Sequence, residues 1–187
     1  MISTVRFLLY PVATLIFTCC LYAAALAHPY TGSFGWEGIR PAVRDSALLI
    51  QKDGRVTSGM VGISAKTPQQ YRRRKWMMKH ATRVELDRLA NHPDKAVRIT
   101  ALEGLLFQPE TDVHGLFTKA LLDTRTQIHF QSGCTGRMMG LGEYLVWRYV
   151  PELTDSPPIP PNGILERLSK PEQAEISRLY QQRRVKW

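Results

Sequence analysis

Cysteine is scarce in this sequence. The 187 residues hold three, and two of them, Cys19 and Cys20, fall within the first 27. Acidic side chains are also scarce: 16 Asp and Glu stand against 25 Lys and Arg, a formal charge of +9. With 13 Gly, 12 Pro and 44% hydrophobic residues, the chain is neither collagen-like nor wholly disordered, and so few cysteines exclude a disulfide-dense scaffold. Motifs that carry chemistry are missing as well. The five histidines, His28, His80, His92, His114 and His129, form no HxxxH or HExxH pair, and no second cysteine accompanies Cys134, so no metal site is encoded locally. Gly133 and Gly136 lack the strand–GxxxxGK–helix setting of a phosphate loop. Glu143 and Glu152 are isolated carboxylates without a matched acid–base partner. No cofactor is expected.

What is present begins with an uncharged stretch. Arg6 is followed by residues 7–27, which carry no charge and end in Ala25-Leu26-Ala27. A basic start, an apolar run and a small-x-small ending are the layout of a signal peptide, cleaved before His28. The alternative is a retained N-terminal membrane anchor, because ~20 apolar residues span a bilayer; Pro11 within the run and the Ala-rich end favour cleavage. Loss of residues 1–27 leaves 160 residues with a formal charge of +8, addressed to the periplasm or the exterior and long enough to bury a core. Cys134 then has no partner for an intramolecular disulfide, so packing alone must hold the fold. A free cysteine of this kind is expected to be buried.

Residues 28–66 read as an irregular or short β lead segment. Asp53-Gly54 lies between the apolar runs Ala47–Ile50 and Val56–Ile63, which predicts a tight hairpin, with a loop as the alternative. Residues 67–155 read as a helical domain. Thr67-Pro68-Gln69-Gln70 and Thr82-Arg83-Val84-Glu85 are helix starts, and His92-Pro93 ends the second of these helices. Asp94 caps a helix over about 95–107, and Val113, Leu116, Phe117, Ala120 and Leu121 form one apolar stripe within 112–122. Ile128 and Phe130 mark a short β run, residues 133–136 a turn, and residues 138–150 a helix packed through Met138, Leu141, Leu145 and Val146. Four prolines make 156–163 a polyproline-like spacer. In 164–187, Ser169-Lys170-Pro171-Glu172 starts a last helix that ends on Arg183-Arg184, suited to the negative end of its dipole.

Residues 82–107 resemble a HEAT-type helical hairpin, through Leu86 and Leu89, then Pro93 and Asp94, then Val97, Arg98, Ala101 and Leu105. The resemblance implies a structural role for Asp94 and Arg98. Residues 60–134 as a whole are similar to small secreted bacterial proteins with HEAT-like hairpins and no assigned activity, the shared features being Met60–Ile63, the 82–107 hairpin and Phe130–Cys134. Stacked repeats need about three units, and only one is clear here. The expected fold is therefore mainly α: a compact helical domain containing a HEAT-like hairpin.

The densest charge feature is Arg72-Arg73-Arg74-Lys75 with Lys79 and Arg83. Residues 71–98 carry nine Lys and Arg against three Asp and Glu, whereas residues 99–163 carry four against seven. On a helix, Arg72, Lys75 and Lys79 share a face. Three cations near an anionic surface contribute about 3 kcal/mol, enough to bias an encounter without anchoring the chain. Trp76-Met77-Met78 are expected in the core. These features favour an exported, non-enzymatic module that binds a protein partner, as an inhibitor, an immunity-type protein or an envelope assembly factor, through Arg72, Arg73, Lys75, Lys79 and Arg83. One alternative is a binder of anionic envelope lipid or polysaccharide. Another is an enzyme whose site assembles in space, with Cys134 and His129 as its candidate members. Nucleic acid is set aside as a partner, because export removes it from reach.

Overall fold

The computed structural model describes residues 34–154 and 162–184. The proposed signal segment and most of the proline-rich spacer lie outside the described residues. The chain divides after Gly35 into two units, and every element below belongs to the second.

The first helix, α1 (Pro41–Asp53), starts on a proline and buries Val43, Ser46, Ala47 and Ile50, the i, i+3, i+4, i+7 pattern of a one-sided helix. Gly54 closes it in the left-handed region, at φ 70°, and donates its N–H to the Ile50 carbonyl at 3.0 Å. Asp53-Gly54 is therefore a helix terminus and not the expected hairpin turn. Both structures need a residue that tolerates positive φ, so the dipeptide alone does not distinguish them. The lead segment 28–66 is correspondingly more regular than expected, since β1 (Val56–Val61) follows this helix.

Next comes α2 (Gln69–His80). Pro68 occupies its N-cap position without a side-chain cap, so Thr67 does not serve as the expected cap. Gln70, read as part of that start signal, instead donates its amide to the carbonyls of Ile50 and Arg55 at 3.1 and 2.9 Å, tying α2 to the end of α1.

The helical hairpin forms as α3 (Arg83–Leu89) and α4 (Lys95–Leu106). Thr82 and Glu85 make a reciprocal capping box at the start of α3. Asp94 Oδ1 accepts from the N–H groups of Ala96 and Val97 at 2.9 and 3.0 Å and so caps α4. Arg98 donates from Nε to the His92 carbonyl at 3.1 Å, and from Nη1 to Thr126 at 3.0 Å, with Asp123 at 3.5 Å. Leu86, Leu89, Val97 and Ala101 are fully buried between the helices, while Pro93 sits exposed in the turn. α4 is buried around most of its circumference, as its apolar residues on several faces predict.

α5 (Val113–Leu122) is capped by Asp112 and buries Val113, Phe117, Ala120 and Leu121 of the expected stripe. β2 (Gln127–Gly133) and β3 (Thr135–Gly140) form an antiparallel hairpin, and β1 lies parallel to β2. The sheet order is β1-β2-β3, with α2 to α5 forming the crossover that a parallel pair requires. Residues 138–140 thus belong to a strand. The helix α6 (Leu141–Tyr149) begins later than the expected Met138, because strand alternation turns Met139 into the core and leaves Met138 exposed. Cys134 is also exposed, contrary to expectation, since it occupies a two-residue turn whose other member, Gly133, takes φ 53°.

Short 3-10 turns at Pro151–Leu153 and Leu165–Arg167 lead to α7 (Lys170–Arg184). Val56, Ile99, Phe117, Ile128, Leu145, Ile176 and Tyr180 belong to one continuous core beneath the sheet, α4, α5, α6 and α7. Gly142 lets α6 approach α5 closely: a Cβ there would stand 2.5 Å from the Ala120 backbone. Arg167 donates to the carbonyls of Leu106, Gln108, Pro109 and Thr111 and so satisfies the open end of α4. The protein is a mainly helical compact domain carrying a small three-stranded sheet.

Candidate functional site

The basic run lies on α2, where successive side chains diverge by 100°. Three faces result. Gln70 and Met77 are buried, with Gln70 turned to the end of α1. Tyr71, Arg74, Lys75 and Met78, at i, i+3, i+4 and i+7, line a cavity beside the sheet. Arg72, Trp76, Lys79 and His80 are exposed, and Arg73 is half-buried.

The outward face joins an aromatic pair to unneutralised charge. Trp76 is 37% exposed, so it is not the core residue expected. Its indole stacks on the His80 imidazole at 4.8 Å, and His80 Nδ1 donates back to the Trp76 carbonyl at 2.8 Å. Among the described residues, no carboxylate pairs with Arg72, Arg73, Lys75 or Lys79. Arg83, placed with them by sequence, sits on α3 and faces Glu110 at 3.2 Å and Asp87 at 3.7 Å, so its charge is locally balanced.

The inward face contains a buried polar network. Arg74 and Glu103 form an ion pair with side chains only 4% exposed each. Arg74 Nε also donates to Thr100 Oγ1 at 2.9 Å, and its Nη1 to the Thr57 carbonyl at 3.3 Å. Thr100 in turn donates to the Ala96 carbonyl at 2.6 Å, within its own helix. The other Glu103 oxygen, Oε1, accepts from the hydroxyls of Tyr144 and Tyr149, both at 2.8 Å. Burial works against the Arg74 charge, but Glu103 beside it holds the guanidinium above its usual value. Burial, and then the Glu103 charge, push both tyrosine hydroxyls up, so they remain donors. The Glu103 carboxylate thereby joins α4 to α2 and α6, and Arg74 extends the network to β1.

Sequence reasoning missed this network. Arg74 is indistinguishable by type from Arg72 and Arg73, and Glu103 is separated from its tyrosines by 41 and 46 residues. The available signal was the Tyr71, Arg74, Lys75, Met78 spacing, which gives Arg74 a different face from Arg72.

The other candidates are placed as follows. His129 lies over Gly136, where a Cβ would come 2.8 Å from its Nε2. Cys134 is at the hairpin tip, with no hydrogen bond to His129. Glu143 accepts from the Gly140 N–H and caps α6. His114 contacts Glu175 at 3.1 Å and Glu172 at 4.0 Å. Among the described residues, no group of three or more His, Cys, Asp or Glu is arranged to hold a metal ion, and no helix is long and apolar enough to cross a membrane. No family model, curated protein or solved structure matches the chain.

Proposed function

We propose that the chain is an exported, non-enzymatic module that binds an acidic protein partner through the outward face of α2, acting as an inhibitor, an immunity-type protein or an envelope assembly factor. One observation carries this reading: Trp76 is exposed among cations that no carboxylate among the described residues neutralises. Trp and Arg are the residue types over-represented at binding hot spots. Unpaired cations steer an acidic surface toward the site and make association sensitive to salt. The HEAT-like hairpin backs α2, because Gly104 of α4 leaves room for the Leu86 side chain and for the α2 backbone at Met78. The apolar, uncharged run before His28 is the ground for placing the protein in the periplasm or outside the cell.

The test is capture from a cell-envelope extract with the wild-type chain and an Arg72→Glu/Lys79→Glu variant. The proposal expects one protein retained saturably by the wild type, released at about 0.5 M salt and not retained by the variant. Equal retention by both chains would overturn it. Sedimentation of the wild type with phosphatidylglycerol vesicles, and not with neutral ones, would replace the protein partner by an anionic envelope surface.

A further inference from the structure

We infer that the cavity between α2, the sheet and α6 is a binding site for a small organic carboxylate. The cavity has a volume of about 120 Å³, comparable with engineered cavities of about 150 Å³ that hold benzene. Its floor is the Arg74–Glu103–Tyr144–Tyr149 network, and Phe130, Trp147 and Met78 supply apolar wall. A molecule with a short carbon body and one charged group matches this size and mixed lining.

The sign of the charge follows from counting donors and acceptors. Among the described residues, Glu103 is the only carboxylate in the lining, and both its oxygens are engaged by Arg74, Tyr144 and Tyr149. It balances Arg74 and has no free oxygen for a cationic ligand. Lys75 and Arg148, both exposed where they line the same cavity, have no carboxylate partner among the described residues. The Arg148 guanidinium lies 6.0 Å from the ring centroid of Tyr149, another residue of the lining. Ser132 and Tyr71 add hydroxyls. The lining is therefore rich in donors and carries two positive charges without counterions, which selects an oxyanion.

Thr57 supplies an independent observation. It lines the cavity and is 3% exposed, and its Oγ1 has no hydrogen-bond partner among the described residues. A buried hydroxyl left unpaired is costly, and a polar ligand atom in the cavity relieves it. Sequence gives no hint of this role, because Thr57 is one of several small polar residues along β1.

The inference does not rest on the proposed protein partner. Arg72 and Lys79, which test that partner, do not line the cavity, and Thr57 and Arg148 do not lie on the outward face of α2. The experiment titrates acetate, lactate and 4-hydroxybenzoate, with lactamide and 4-hydroxybenzamide as uncharged controls and inorganic phosphate as a competitor, while following the Trp147 indole N–H by NMR. The expected result is saturable binding of at least one carboxylate, with no saturation by its amide. Arg148→Gln and Thr57→Val should each weaken that binding at least about tenfold. Thr57→Val should leave the melting temperature of the free protein unchanged or higher, since it removes an unsatisfied hydroxyl without changing shape. Absence of saturation by all three carboxylates overturns the inference, as does binding that both variants leave intact. Saturation by phosphate alone overturns the assignment to a carboxylate.

Discussion

Arg72 and Arg74 are separated by one residue on the same helix, yet their surroundings are opposite. Arg74 is buried, donates to Thr100, Thr57 and Glu103, and helps join four elements. Arg72 is exposed and has no carboxylate partner among the described residues. Between these extremes is Arg40, 57% exposed, which grips a Glu85 carboxylate that is only 3% exposed. Arg40 donates to Glu85 from its backbone N–H and from Nε, both at 2.9 Å, and from Nη2 at 2.7 Å. A run of like charges is thus not a single feature. Each arginine is governed by whether it faces water, reaches a buried carboxylate from the surface or is itself buried with its carboxylate, and the loss on mutation follows that order.

The largest effect is expected in the buried pair. Glu103→Ala leaves the Arg74 guanidinium and two tyrosine hydroxyls unpaired inside the protein, and should cost about 3–5 kcal/mol by urea denaturation. An Arg74→Met/Glu103→Leu double variant should lie nearer the wild type than Glu103→Ala does, because no charge is then left stranded. If the double variant is the less stable of the two, the contrast between buried and exposed arginines loses its basis.

The half-exposed pair gives a smaller, pH-dependent effect. Hydrogen bonds from Arg40, against the opposing influence of burial, lower Glu85 to about 2. A carboxyl held below its unfolded value of about 4.3 stabilises the fold fully above that pH. The contribution is lost as pH falls from about 4.5 toward 2. Glu85→Gln should cost about 2 kcal/mol at neutral pH, and the difference from wild type should close on acidification through that window. A difference that stays constant with pH would mean that ionisation of Glu85 does not support the fold.

The smallest effect on stability belongs to the outward face. Arg72→Glu/Lys79→Glu should change stability by no more than about 0.5 kcal/mol, measured by the same denaturation, while removing partner retention. A large destabilisation would mean that these side chains support the fold.

The environment of His92 shows why it suits the turn between α3 and α4. It is buried beside Pro93, and its Nδ1 accepts the Asp94 N–H at 3.0 Å. Burial lowers its basicity, keeping the ring neutral and able to accept. Local signals of this kind made the hairpin legible in the sequence: Thr82 and Glu85 cap one another, Asp94 caps α4, and Arg98 reaches back across the turn. The stripe of α5 was legible for the same reason, since Val113 and Phe117 are one helical turn apart. Asp53-Gly54 misled because a helix end and a hairpin both favour a glycine at positive φ. Met138 misled because the strand passes straight into the helix at Gly140, with no intervening turn to separate their periods.

Sequence by itself determined the helical class, the caps at Thr82 and Asp94 and the asymmetric charge, because each depends on composition or on residues within a turn of one another. Tertiary structure alone decided which arginine of the run is buried, that one glutamate receives two distant tyrosines, and that Thr57 lines a cavity without a partner. Those facts arise where segments far apart in the chain close on one another, and no local spacing encodes the dielectric or the partners a side chain meets there.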